Sequence, residues 1–326
     1  MQGNRTMAPE WHDIDAVMLA WPHAHTDWAP WLEEARATYL NVIAAVNRSS
    51  AGVILLCAPD DVDSLVSRLP ENAQVLIVPA SYNDTWMRDY GFITCKDRDG
   101  NGSPVEFRFN GWGNKFNASE DNLANQRYLA AMCKSVLRSS PVVAEGGALE
   151  VDEDGHLLST AQCLLNPERN GDMSLGAYED AFKDMLGCSK VTVLQNGHLE
   201  GDDTDGHIDT IVRFTPNKGL VIQACNNRPN DSHFEGLKAL CDECALELPE
   251  HKQFHLPLPY IVNDEGDRLP ASYANYLICN KSILLPVYGE EEDAEAIETV
   301  QQAHPDHIVE PIDCSVLVRQ YGSLHC

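Results

Sequence analysis

The amino-acid sequence predicts an α/β protein. Two observations carry that prediction: short β-branched apolar runs recur along the chain, and helix-like stretches lie between many of them. A third is fainter. A helix followed by a strand ending in proline returns several times, which points to an internal repeat.

The apolar runs are AVMLAWP (16–22), GVILLCAP (52–59), QVLIVPA (74–80), KVTVLQN (190–196), GLVIQAC (219–225) and SILLPVY (282–288). Each is bounded by Pro, Gly, Asn or Asp, as buried strands are. The helix-like stretches are 31–48, 121–137, 178–186, 233–248 and 291–303. Between them, ALEVDEDGHLLST reads as a β-hairpin turning at Asp154-Gly155. No low-complexity linker or change of composition divides the chain, so residues 1–326 are read as one domain.

Composition narrows the function classes. A chain of 326 residues with 44% hydrophobic and 22% charged content buries a large core and is not disordered. No apolar run approaches the roughly 20 residues that span a bilayer. The start, Met1 to Glu10, lacks the basic end and apolar centre of a signal peptide. Eleven cysteines, most of them inside apolar stretches such as ILLCAP and YLICN, suit buried reduced thiols rather than a disulfide framework. These features predict a soluble protein of the cytoplasm. Cys241-x-x-Cys244 sits in a helix-like stretch without a second pair and reads as packing.

Charge is the strongest bulk signal: 23 Lys+Arg against 50 Asp+Glu, a net −27. Such a surface repels phosphate backbones and anionic membranes, so neither nucleic acid nor membrane is expected as a partner. It favours cationic small molecules, although solubility alone also accounts for it. Self-association into a homo-oligomer is left open.

Three stretches carry chemistry. In LEGDDTDGHIDTIVRF (199–214), Asp202, Asp203 and Asp205 precede Gly206 and then His207-x-Asp209. Read as extended chain, His207 and Asp209 share a face and pair a general acid/base with a carboxylate. A calcium loop aligned on Gly206 fails, because Val212 falls where a bidentate Glu belongs. No further His or Cys stands nearby at metal-ligand spacing, so no metal is expected. The plain alternative is an acidic turn entering a strand. In TWMRDYGF (85–92), Arg88-Asp89 beside Trp86 and Tyr90 is either a structural ion pair or an aromatic wall with a carboxylate for a cation. In VVAEGGALE (142–150), Glu145 is followed by two glycines, which serve close backbone approach or mark a bulge. No phosphate-cradling GxGxxG or P-loop occurs.

These stretches, in this order and ending on His-Cys, resemble the guanidino-group-modifying enzymes, and within them the agmatine deiminases of the bacterial peptidylarginine deiminase family. The matching residues are Trp86-Met87-Arg88-Asp89, Glu145-Gly146-Gly147, CLLNPERN (163–170), GDDTDGHIDTIVRF (201–214), PASYANYLICN (270–280), LLPVYG (284–289) and Ser323-Leu324-His325-Cys326. The resemblance implies a pseudo-fivefold α/β propeller of ββαβ units. It implies Cys326 as nucleophile, His207 as general acid/base, Asp89 and Asp209 as guanidinium clamps and Glu145 as the partner orienting His207. It also implies agmatine as substrate, with no metal or organic cofactor. Trp86 is expected to flank the aliphatic stem, and Asp202, Asp203 or Asp205 to bind the distal amine. Arginine, peptidylarginine or another alkylguanidine, an amidinotransferase reaction and a non-catalytic amine-binding protein are the alternatives. Family members continue past His-Cys with a short Thr- and Gln-containing tail, so residues beyond Cys326 are expected. A free carboxylate beside the thiol would raise its pKa.

Overall fold

The computed structural model describes residues 5–326, so the first four residues of the Met1–Glu10 start lie outside the described part. Five small sheets follow one another along the chain. The second sheet orders Thr6–Met7, Ile93–Lys96, Gly102–Arg108 and Arg138–Val143. The third holds Glu150–Val151, His156–Thr160 and Lys190–Leu194, the fourth Val212–Thr215, Gly219–Gln223 and Lys252–Leu256. The fifth holds Leu277–Cys279, Ser282–Val287 and Ile308–Asp313. In all four the central strand pairs antiparallel with the strand before it and parallel with the strand after the crossover. Four of the sheets therefore share a ββαβ unit, and with the first sheet they make a pseudo-fivefold propeller.

The first sheet departs from the pattern. Its strands Ala16–Ala20, Gly52–Cys57 and Val75–Pro79 are all parallel, joined through helices Leu32–Arg48 and Val62–Arg68. Parallel pairing demands a crossover of a dozen residues or so, and Leu32–Arg48 supplies one. Its apolar face buries Ala35, Tyr39, Val42, Ile43 and Val46. Full burial of each larger side chain is worth about 1.5–3 kcal/mol. Arg36, on the same face, is buried with its Nε donating to the Pro22 carbonyl at 3.0 Å and its Nη2 2.9 Å from Asp61.

Four of the five helix-like stretches form helices close to the bounds read from sequence: Leu32–Arg48, Leu175–Leu186, Phe234–Glu247 and Asp293–Ala303. The fifth, 121–137, instead breaks into short 3-10 and π turns over Asp121–Met132. Asn125 explains the break. Its buried side chain accepts from Phe92 N–H at 2.9 Å and donates to the Tyr90 carbonyl at 2.7 Å, tying this crossover to the preceding connection. That tertiary tie outweighs helix propensity. The hairpin turn stands at Gly155, whose φ of 74° suits glycine. Cys241 and Cys244 are buried free thiols of Phe234–Glu247, as packing residues are. Among the described residues no helix is long and apolar enough to cross a membrane.

Two buried histidines make stability depend on pH. Burial, then His307, pushes His304 down to about 3, and burial, then Lys190, pushes His156 down to about 4. Both stay neutral in the fold at pH values where the unfolded chain, titrating near 6.5, takes up protons. The unfolded state then binds more protons, so stability falls as pH drops from about 6.5 toward 4. The thermal midpoint is expected to decline through that window, with His156→Asn flattening the slope. A flat wild-type profile there contradicts the assignment.

Candidate active site

The connections between successive sheets, not the strands, supply the chemistry. The turn Met87–Tyr90 leads from the first sheet to the second, the 3-10 turn Gly146–Ala148 from the second to the third, and Ile208–Thr210 from the third to the fourth. Asn275 lies between the fourth and fifth sheets, and Ser323–Cys326 follows the fifth. Equivalent connections of a pseudo-symmetric ring meet at one end, so five remote segments share one centre.

Asp89 is buried. Its Oδ1 accepts from Gly147 N–H at 3.0 Å and its Oδ2 from Trp112 Nε1–H at 2.9 Å. It makes no ion pair with Arg88, whose Nη2 instead donates to the Leu149 carbonyl at 3.3 Å. Burial raises the Asp89 carboxyl, His207 opposes this, and Asp209 and Glu145 add to the rise.

Glu145 is fully buried, both carboxylate oxygens 3.0 Å from Arg169 Nε. Burial alone would raise its pKa, but His207 and Arg169 outweigh it and hold the group below the ordinary value. Arg169 continues to Asp205 Oδ2 at 2.7 Å and to the Thr204 carbonyl at 2.8 Å, so one guanidinium binds Glu145 to the acidic loop.

His207 begins the Ile208–Thr210 turn rather than lying on extended chain, which corrects the sequence reading of 207–209. Its Nδ1 lies 3.5 Å from Asp89 Oδ1 and its Nε2 3.8 Å from Glu145 Oε2, and neither nitrogen has a hydrogen-bond partner. Burial works against its charged form. Asp89 foremost outweighs that and holds the imidazole well above its ordinary pKa. Asp209 is buried, with Oδ2 2.7 Å from His325 Nδ1 and Oδ1 unpartnered. Burial raises its pKa, and His325, His207 and Arg213 more than offset that.

The Cys326 thiol is 3.4 Å from Asn275 Oδ1, which also accepts from the His325 and Cys326 amides. The Cys326 carbonyl accepts from Arg88 N–H at 3.0 Å, placing the thiol beside the Asp89 turn. Burial, then Asp209 and Asp89, holds the thiol well above its ordinary pKa.

The glycines are for close approach, not a bulge. A Cβ on Gly147 would stand 2.7 Å from Asp89 Oδ1, 2.7 Å from His207 Nδ1 and 3.0 Å from Asp209 Oδ2. Only a residue without a side chain lets those three groups converge there. A Cβ on Gly146 would lie 2.1 Å from the Arg88 carbonyl. Trp86 packs against Trp28 at 5.5 Å between ring centres and against Gly322, where a Cβ would come within 2.4 Å of its ring.

The three loop aspartates differ sharply. Asp202 holds its own loop, accepting from Thr204 N–H and hydroxyl and from Gly206 N–H. Asp205 is taken by Lys115 at 2.8 Å, Arg169 at 2.7 Å and Asn166 at 2.8 Å. The Asp203 carboxyl alone is left without a hydrogen bond from another residue among those described. Burial, then Asp202, lifts it to about 7, with Lys115 opposing.

The fold also gathers residues that sequence spacing did not. Ligand atoms of Glu145, Cys163 and His207 lie within 4.8 Å of one another, although Cys163 is far from His207 in sequence and Arg169 already occupies Glu145. Trp112, Asn275, Glu10 and Arg169 had no assigned part. Asn275 and Arg169 stand inside quoted motifs, whereas nothing local marks Trp112 or Glu10. A cavity of about 720 Å³ opens beside Cys326, lined by Trp86, Arg88 and His325 among others. Asp89, Glu145, His207 and Asp209 do not line it, so this cavity is not the space between the charged groups.

Known proteins share this arrangement along the whole chain. A C. jejuni agmatine deiminase with a Cys-to-Ser substitution and substrate bound superposes with a TM-score of 0.91 at 31% identity, covering 98% of this chain and 94% of that one. A Porphyromonas gingivalis structure, provisionally named an arginine deiminase, gives 0.91 at 39% identity over 99% and 96%. A Legionella pneumophila (strain Paris) relative, provisionally named an agmatine deiminase, is 31% identical over 329 residues, 98% of this chain and 93% of its own. The family profile described as Porphyromonas-type peptidyl-arginine deiminase matches residues 6–326. The chain therefore belongs to that family, within the guanidino-group-modifying enzymes.

Proposed function

We propose that the protein hydrolyses agmatine to N-carbamoylputrescine and ammonia, as one domain, through a covalent intermediate on Cys326. The single observation that carries this reading is the convergence of Asp89, Asp209 and His207 on Gly147. A guanidinium is planar, permanently charged and rich in N–H donors. Two facing carboxylates accept those donors in pairs and hold the central carbon still.

Charge balance then drives the chemistry. In the empty site Asp209 and Asp89 oppose ionisation of Cys326. A bound guanidinium offsets both charges and lowers the cost of the thiolate. The thiolate attacks the guanidinium carbon, forming a C–S bond. The imidazolium of His207, steadied by Glu145, gives its proton to the departing nitrogen, and ammonia leaves. An S-alkylthiouronium remains on Cys326. The now neutral His207 takes one proton from water as its oxygen attacks the same carbon; the C–S bond then breaks to release the thiolate, and the remaining O–H proton passes to solvent, leaving the ureido product. No step calls for a metal or organic cofactor. The nine buried free thiols among the eleven cysteines suit a reducing compartment, and we place the reaction in the cytoplasm.

Asp203, whose carboxyl alone among the three is uncommitted, is the residue for the distal amine, with Trp86 beside the stem. Asp203→Asn is expected to raise KM for agmatine roughly tenfold with kcat little changed, the loss of one charge-assisted hydrogen bond. An alkylguanidine of equal length without the amine should be indifferent to the change. Equal effects on both substrates would remove Asp203 from that role. One observation favours arginine as a second reading: Lys115 Nζ lies 2.6 Å from the Asp203 carbonyl and offers a cation to an α-carboxylate.

A further inference from the structure

Behind the Asp209 carboxylate runs a chain of charged groups that the proposed chemistry does not use. His325 Nδ1 is 2.7 Å from Asp209 Oδ2, and its Nε2 is 2.7 Å from Glu10 Oε2. Glu10 Oε2 also accepts from Arg213 Nη2 at 2.6 Å, and Glu10 Oε1 from Ile278 N–H at 2.8 Å. Arg213, fully buried, spends its remaining donors on Glu150 at 3.0 Å and on the Tyr276 and Ala274 carbonyls at 2.6 and 3.2 Å.

Burial raises Glu10, but Arg213 and His325 hold it far below its ordinary value, and Asp209 is likewise held low. Ionised carboxylates only accept hydrogen bonds. Each His325 nitrogen faces one, Nδ1 toward Asp209 and Nε2 toward Glu10. Arg213 Nη2 also lies 3.4 Å from Nε2, so Glu10 Oε2 ties the His325 ring and the guanidinium together. His325 thus occupies Asp209 Oδ2 and leaves Oδ1 without a hydrogen-bond partner among the described residues.

Resting on the deiminase reading, we propose that Glu10 and His325 are positioning residues. A His325 ring held between Glu10 and Asp209 fixes the rotamer of the Asp209 clamp. Residue 10, from the first segment of the chain, would thereby set how tightly the far end grips a guanidinium.

The test is agmatine kinetics of the full-length protein and of Glu10→Gln, Glu10→Asp, His325→Gln, Asp209→Asn and the Glu10→Gln/Asp209→Asn double variant. Glu10→Gln is expected to raise KM roughly tenfold, the scale of a charged hydrogen bond, with a smaller fall in kcat. Glu10→Asp, which keeps the charge, should lie nearer wild type than Glu10→Gln, which keeps the length. Because Glu10 acts through Asp209, the double variant should be no worse than Asp209→Asn. Wild-type KM in both Glu10→Gln and His325→Gln, or an additive loss in the double variant, overturns the inference. If Glu10→Gln does not fold, His325→Gln and its double with Asp209→Asn give the same reading. A wild-type protein that turns over no guanidine defeats the deiminase reading instead. The same variants are then compared by agmatine binding, where weakened affinity supports the positioning role and unchanged affinity rejects it.

Discussion

Cys326→Ala is expected to lower ureido-product formation by at least about four orders of magnitude, in line with loss of a nucleophile elsewhere. Agmatine affinity should stay within about threefold of wild type. The two effects separate because different groups produce them. In the proposed reaction the carboxylates of Asp89 and Asp209 bind the cation, and the placement of neither depends on the sulfur: Asp89 is held by Gly147 N–H and Trp112, Asp209 by His325. The thiol instead forms the bond that splits one difficult displacement into two steps. Stopped assays with separate binding isotherms check both halves. Turnover above a percent of wild type would place the nucleophile elsewhere, and Cys163, beside Glu145 at 4.0 Å, becomes the next thiol to test.

Gly147→Ala should cost at least about a hundredfold in kcat/KM in a protein that still folds. The new methyl would fall inside normal contact distance of Asp89, His207 and Asp209 at once, 2.7, 2.7 and 3.0 Å. Overpacking of this kind costs about 1–3 kcal/mol in strain. The larger effect is on the substrate. If either carboxylate turns away, a charge-assisted contact worth about 1.5–3 kcal/mol is lost. Near-ultraviolet circular dichroism checks the fold, and the KM of agmatine reads the site. A folded Ala variant with wild-type KM would mean that the guanidinium binds somewhere other than over Gly147.

Much of this centre was visible in the sequence because its members stand in short polar motifs inside apolar surroundings. Asp89 follows Trp86-Met87-Arg88, Glu145 precedes a glycine pair, and His207 and Asp209 close an acidic turn. The alternation of strands and helices is equally local, so the α/β class and four of the five helices were legible. What was not legible depends on distance. Glu10 and His325 touch across almost the entire chain, and no pattern around Glu10 announces it. Trp112 reaches Asp89 from the far side of a strand and a turn. Asn125 converts an apparent helix into broken turns through bonds to Tyr90 and Phe92, a cost that propensity cannot register. The choice among Asp202, Asp203 and Asp205 also needed coordinates, because three adjacent acids look alike until their hydrogen bonds are assigned.

The central claim is hydrolysis of a guanidine at this centre, and one measurement tests it most directly. The full-length protein is incubated with agmatine, arginine and a peptidylarginine in separate reactions, without added amine acceptor, and ammonia and ureido product are both quantified. The account predicts one ammonia for each N-carbamoylputrescine from agmatine, with arginine and peptidylarginine turned over far more slowly. Faster turnover of arginine would preserve the mechanism and contradict the substrate. No ammonia from any of the three would contradict the account itself.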